Sequence, residues 1–234
     1  MIFGVKQLKK IDDWIDVVSR KNWVPSRSAF ELAHKWHNTL QFPERVAQVL
    51  CTSAEPSLRD LHREYAIVEM PTFLDTQKGP SWTDIMVYAR NATGDPVVIG
   101  VEGKADELFD EEVRHWVRDS RQLERQPKTS RLNRLDYLSR ILRITVGSDS
   151  ELRYQLLHRT AATVLEAEKI VARSAIVLVH SFDDSDAQNW NDYVSFLNYL
   201  GIQHPEKMKL SGPVPLGAGV TLTTFFGWVW DERT

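Results

Sequence analysis

Residues 80–104 constrain the fold more than any other stretch of this chain. They read P-S-W-T-D-I-M-V-Y-A-R, a turn at N-A-T-G-D-P, then V-V-I-G-V-E-G-K. Two runs of strand-forming residues joined by Gly, Asp and Pro predict a pair of β-strands. Val97, Val98, Ile99 and Val101 form the continuous apolar run of a central strand covered on both faces. Asp84 lies near the start of the first strand, and Glu102-Gly103-Lys104 ends the second. Side chains alternate along a strand, so Glu102 and Lys104 point the same way with Gly103 between them. Pairing as a hairpin sets Asp84 across from that end, which gathers two carboxylates and an ammonium at one end of the sheet. On a solvated edge, the same residues would form only a surface ion pair worth about 0–1 kcal/mol. The buried run leading to Glu102 favours a site.

Two carboxylates, a main-chain carbonyl and several waters suit Mg²⁺, which keeps much of its hydration when protein-bound. A lysine beside a metal-bound water could orient it or help it lose its proton. These residues resemble the PD-(D/E)xK nuclease superfamily, with Asp84 as the "D" and Glu102-Gly103-Lys104 as the "ExK". Thr83, not proline, precedes Asp84, with Pro80 close by. The runs V-E-G-K-A-D-E-L-F, L-R-Y-Q-L-L-H-R-T-A-A-T-V-L-E-A and A-I-V-L-V-H-S-F resemble an uncharacterised bacterial family of the restriction-endonuclease-like fold, over most of residues 28–200.

The resemblance implies an α/β fold with a restriction-endonuclease-like α-β-β-β-α-β core, its central mixed sheet flanked by helices. It implies that Asp84, Glu102 and the Gly103 carbonyl hold Mg²⁺ or Mn²⁺ while Lys104 positions the attacking water. The reaction would be hydrolysis of phosphodiester bonds in DNA, with RNA as the other candidate polymer. Glu69, or less readily Glu64, is a candidate extra carboxylate from an early element, and Glu107 borders the site. Gln155, Tyr154 and His158 match by residue type the groups that such nucleases bring in from a later helix. The alternative is a nuclease fold kept as a nucleic-acid- or protein-binding module without hydrolysis.

The net charge of −3 does not point to a polyanion, but its distribution does. Residues 114–143 carry nine Lys and Arg against three acids, a local +6 that leaves −9 for the rest. Arg114, Arg118, Arg121 and Arg125 recur at steps of four, three and four, one helical stripe expected to grip a nucleic-acid backbone. The single cysteine, Cys51, excludes an internal disulfide and reads as a buried helix residue. No apolar run is long enough to cross a bilayer, and the mixed charges of the first residues are unlike a secretory signal. A cytoplasmic protein with no membrane partner is expected.

The chain is read as one domain: a helical part over 1–57, a sheet core over 58–127 and 174–234, and a helical insertion over 128–173. Periodicity predicts helices over 5–20, from Ser26 or Ser28 as cap through Trp36, over 44–51, from a Ser150 cap onward, and over 187–199. Strands are expected at 65–70, ending before Pro71, and at 175–179, with His180 hydrogen-bonded at the sheet's end. The alternation of Leu222, Thr224, Phe226, Trp228 and Trp230 reads as a closing strand. Its aromatic row is core if buried; if exposed, it could stack bases or meet a second subunit in a homodimer.

Overall fold

The computed structural model describes residues 1–4, 6–75, 79–119, 128–183, 187–219 and 222–234. Strand β1 (Ile2–Phe3) leads through a 3₁₀ turn at Ile11–Trp14 into α1 (Ile15–Val18), α2 (Ser28–Trp36) and α3 (Glu44–Cys51). Then come β2 (His62–Thr72), β3 (Ser81–Arg90), β4 (Pro96–Lys104), α4 (Val113–Asp119), α5 (Lys128–Leu142) and α6 (Tyr154–Lys169). The chain closes with β5 (Ser174–Ser181), α7 (Ala187–Tyr199), β6 (Leu210–Leu216) and β7 (Leu222–Trp230).

The strands form one seven-stranded mixed sheet in the order β1-β2-β3-β4-β5-β7-β6. The expected hairpin is present: β3 and β4 pair antiparallel, with Ile85 opposite Val101 and Arg90 opposite Pro96. Strands β4, β5 and β7 run parallel at the centre. On one face Ile85, Ile99, Leu178 and Val229 pack with Leu32 and Trp36 of α2 and Val46 and Val49 of α3. On the other, Val98, Val177 and Phe226 pack with α5, α6 and α7 through Leu138, Leu157, Val164 and Phe196. Burial on both faces explains the unbroken apolar runs of β4 and β5.

Two glycines let both helical layers close on β4. A Cβ on Gly100 would stand 2.0 Å from Thr163 Oγ1 of α6, and one on Gly103 would stand 2.5 Å from Leu32 Cδ1 of α2. The end of β4 is therefore clamped between α2 and α6.

Several expectations are corrected. No single helix spans 5–20: β1 docks beside β2, and Asp13 Oδ2 accepts from the Lys9 and Lys10 amides, so helical structure begins only at Ile11. The residue before α2 is Arg27, with no side-chain cap, while Ser26 Oγ turns back to the Pro25 carbonyl. Ser150 accepts from Leu152 N outside α6, which starts at Tyr154. Helix α6 is no insertion, since it packs on the sheet as the crossover between β4 and β5. Strand β2 runs through Pro71 to Thr72, beyond the reach of short β1, where it has an open edge that tolerates proline. Cys51 is exposed. The aromatic row of β7 is interior, with Phe226 and Trp228 buried. His180 is hydrogen-bonded as expected, accepting from Trp36 Nε1 at 3.1 Å. No described helix is long and apolar enough to cross a membrane.

Candidate active site

The C-terminal end of β4 supplies the centre of the site. Glu102 and Lys104 point to the α6 face, and Lys104 Nζ donates to Glu102 Oε1 at 2.9 Å. The Gly103 amide donates to Asp84 Oδ2 at 2.8 Å, which ties the start of β3 to the end of β4. Helix α6 adds two side chains one turn apart. Gln155 Nε2 donates to Glu102 Oε1 at 2.7 Å, and Arg159 Nε donates to Glu102 Oε2 at 2.5 Å. The Arg159 guanidinium also donates to Ser81 Oγ at 3.0 Å and stands 3.8 Å from Asp84 Oδ1. Asp84, Glu102, Lys104 and Gln155 are thus brought together as expected. Arg159 was missed as a site residue, although its i,i+4 spacing from Gln155 was visible in the sequence.

These groups floor a cavity of ≈ 490 Å³ whose opposite wall comes from α1, α2 and the loop between them. Glu69 and Glu107 line it too. Glu69 has φ 50, a left-handed conformation that a glutamate adopts only when its surroundings hold it there. Glu107 Oε2 is buried with no hydrogen-bond partner among the described residues. Glu64 instead pairs with Arg90 at 2.8 Å on the surface. Tyr154 and His158 do not line the cavity. Tyr154 stacks on Trp116 with ring centres 3.8 Å apart. His158 Nδ1 lies 2.8 Å from Ser81 Oγ, so it steadies the hydroxyl that Arg159 uses.

The electrostatics divide the carboxylates. Burial pulls the Glu102 carboxyl up, but Arg159 and then Lys104 outweigh it and hold it down at about 2. Burial and the Glu102 charge push Asp84 well above the usual carboxylate range. Burial also raises Glu69, to about 7, with Arg159 pulling against it. Burial lowers Lys104, yet Glu102 and Asp84 more than offset this and keep the ammonium charged. Asp84, Glu102 and Glu69 thus outnumber Lys104 and Arg159 on this floor.

A family model described as a domain of unknown function, DUF6946, matches residues 7–233. The chain belongs to that family. No curated protein and no solved structure shows detectable similarity to it.

The donor chemistry fits a hydrated divalent ion. Among the described residues no three His, Cys, Asp or Glu side chains gather closely enough to cage an ion, but Mg²⁺ needs only one or two carboxylates and retained waters. Of the carboxylate oxygens, Asp84 Oδ1 accepts no hydrogen bond among the described residues, and Glu102 Oε2 accepts only from Arg159. Glu107 lines the same cavity, with its Oε2 buried and unpartnered among the described residues.

The described residues hold only half of the expected arginine stripe. Arg114 is compensated, by Glu112 at 2.5 Å and Glu151 at 2.7 Å. Arg118 is exposed on α4. Arg121 and Arg125 lie outside the described residues, and the cavity is not lined by Arg114 or Arg118.

Proposed function

We propose that this chain is a Mg²⁺- or Mn²⁺-dependent nuclease with a restriction-endonuclease-like core that hydrolyses phosphodiester bonds in DNA. The observation that carries the reading is the convergence of Asp84, Glu102 and Lys104, the last two 2.9 Å apart, on the floor of one cavity. Asp84, Glu102 and the Gly103 carbonyl are the groups that would hold the ion. A divalent ion in such a site shields charge on a phosphate oxygen and makes water more acidic.

The chain's own side chains divide the remaining work. Lys104, held as an ammonium by Glu102 and Asp84, would donate hydrogen bonds to the attacking water or a phosphate oxygen. Gln155 and Arg159 hold the Glu102 carboxylate in one orientation, and the Asp110 amide fixes Gln155 by donating to its Oε1 at 3.3 Å. The test is cleavage of linear, circular and single-stranded DNA with Mg²⁺, Mn²⁺ or EDTA, against Glu102→Ala and Lys104→Ala. Each variant should lose at least about 100-fold in rate. Undiminished cleavage by both removes the assignment.

One observation favours a second reading, a binding module without hydrolysis. Arg159 spans Glu102 and Asp84 much as a bound cation would, which balances part of the acid charge internally. That reading expects salt-sensitive DNA binding with no divalent-ion requirement, and no effect of Glu102→Ala.

A further inference from the structure

One wall of the cavity takes no part in the chemistry proposed above. Between α1 and α2 the chain brings Lys21 and Arg27 to the cavity wall, both exposed. Neither joins an ion pair among the described residues. Two apolar side chains stand at the same rim, Val24 at 44% exposure and Leu108 at 53%. Of the acids that line the cavity, Asp84 and Glu102 lie on the floor, while Glu107 and Asp110 flank Leu108. Unpaired cations beside bare apolar surface match a ligand with phosphates on one side and flat apolar faces on the other, as in a nucleotide chain.

Size then selects the form of that chain. A cavity of ≈ 490 Å³ is in the range that encloses one small ligand. It has room for about one nucleotide and its phosphates, and an unpaired strand can enter it without the few kcal/mol that unstacking and unpairing a base costs. We infer that the site takes an unpaired polynucleotide strand, whose backbone is gripped by Lys21 and Arg27 as it passes over the acid floor. This rests on the nuclease reading for the identity of the floor. It moves the phosphate grip from the Arg114 stripe to the loop between α1 and α2.

The test is fluorescence anisotropy in EDTA, with labelled single-stranded DNA, single-stranded RNA and a blunt DNA duplex of equal length. Wild type is compared with Lys21→Gln/Arg27→Gln and with the charge reversal Lys21→Glu/Arg27→Glu. Both residues are exposed, so melting curves should match wild type. A single strand, DNA or RNA, should bind at least about 10-fold more tightly than the duplex, and charge reversal should lose at least about 10-fold. The Gln variant should flatten the salt dependence by about 1.4 in slope, two single-strand phosphate contacts. Equal or tighter duplex binding overturns the inference, as does an unchanged slope. Cleavage by wild type with binding unaffected by charge reversal removes the grip and leaves the nuclease reading standing. Binding lost on charge reversal without cleavage under any ion keeps the grip and removes the nuclease reading. Absence of binding by every strand removes the inference.

Discussion

Arg159 Nε lies 2.5 Å from Glu102 Oε2, in a pair whose side chains are only 13% and 6% exposed. The same guanidinium stands 3.8 Å from Asp84. Removing one partner of a buried pair leaves an uncompensated charge and costs about 3–5 kcal/mol. Arg159→Met should therefore lower the unfolding free energy by about 3 kcal/mol without divalent ions. It also withdraws the internal cation, so added Mg²⁺ should raise the melting temperature of the variant more than that of wild type, by binding only the folded state. Thermal unfolding with and without Mg²⁺ measures both effects. An equal Mg²⁺ shift in the two proteins would mean that Arg159 does not occupy the ion's electrostatic role.

The clamp on β4 makes a second prediction. A methyl at Gly100 meets Thr163 Oγ1, so Gly100→Ala should cost about 1–3 kcal/mol through overpacking. A chain of this size then melts roughly 2–4 °C lower per kcal/mol. Thr163→Ala removes the obstructing atoms and should recover part of the loss in the double variant. Additive effects in that double-mutant cycle would show that the two positions do not meet.

Acidification tests the support beneath Arg159. Burial, then the Arg159 charge, holds the His158 imidazole well below its ordinary range. The unfolded chain thus binds a proton that the folded chain refuses, and stability falls with decreasing pH below about 6.5, by up to ~1.4 kcal/mol per unit. His180, also lowered by burial, acts in the same direction. Glu69, raised to about 7, acts in the opposite one, since its folded state gains the proton first. Comparison with His158→Asn isolates one term. Between pH 7 and 5, wild type should lose about 1–2 kcal/mol relative to that variant in urea unfolding. Parallel pH profiles would place His158 in contact with solvent.

What could be read from the sequence was what depends on near neighbours. The β3–β4 hairpin was legible because its strand pattern and its turn residues agree, and with it came Asp84, Glu102 and Lys104. Gln155 was legible by residue type. The failures are non-local. Apolar spacing over 5–20 cannot show that Ile2 pairs with Ala66, or that Asp13 ends the preceding turn. Arg114 looked uncompensated because one of its partners, Glu151, lies 37 residues away in the chain and the other, Glu112, precedes the stripe. Cys51 sits at the end of its helix, where apolar neighbours say little about exposure.

Glu69 offers a test in which stability and function should part. Nothing in the residue type announces its φ of 50, which a glycine adopts freely and an alanine does not. If the conformation serves only to turn a carboxylate into the cavity, it stores strain of about 1–3 kcal/mol. Glu69→Ala removes the carboxylate and keeps the strain, whereas Glu69→Gly removes both. The Gly variant should be more stable than the Ala variant by about 1 kcal/mol in urea unfolding. Both should bind Mn²⁺ more weakly than wild type by calorimetry, since each deletes an acid that lines the cavity. Equal stability of the two would show that the backbone relaxes at this position. Unaltered Mn²⁺ binding in both would remove Glu69 from the carboxylates on which the proposed ion depends.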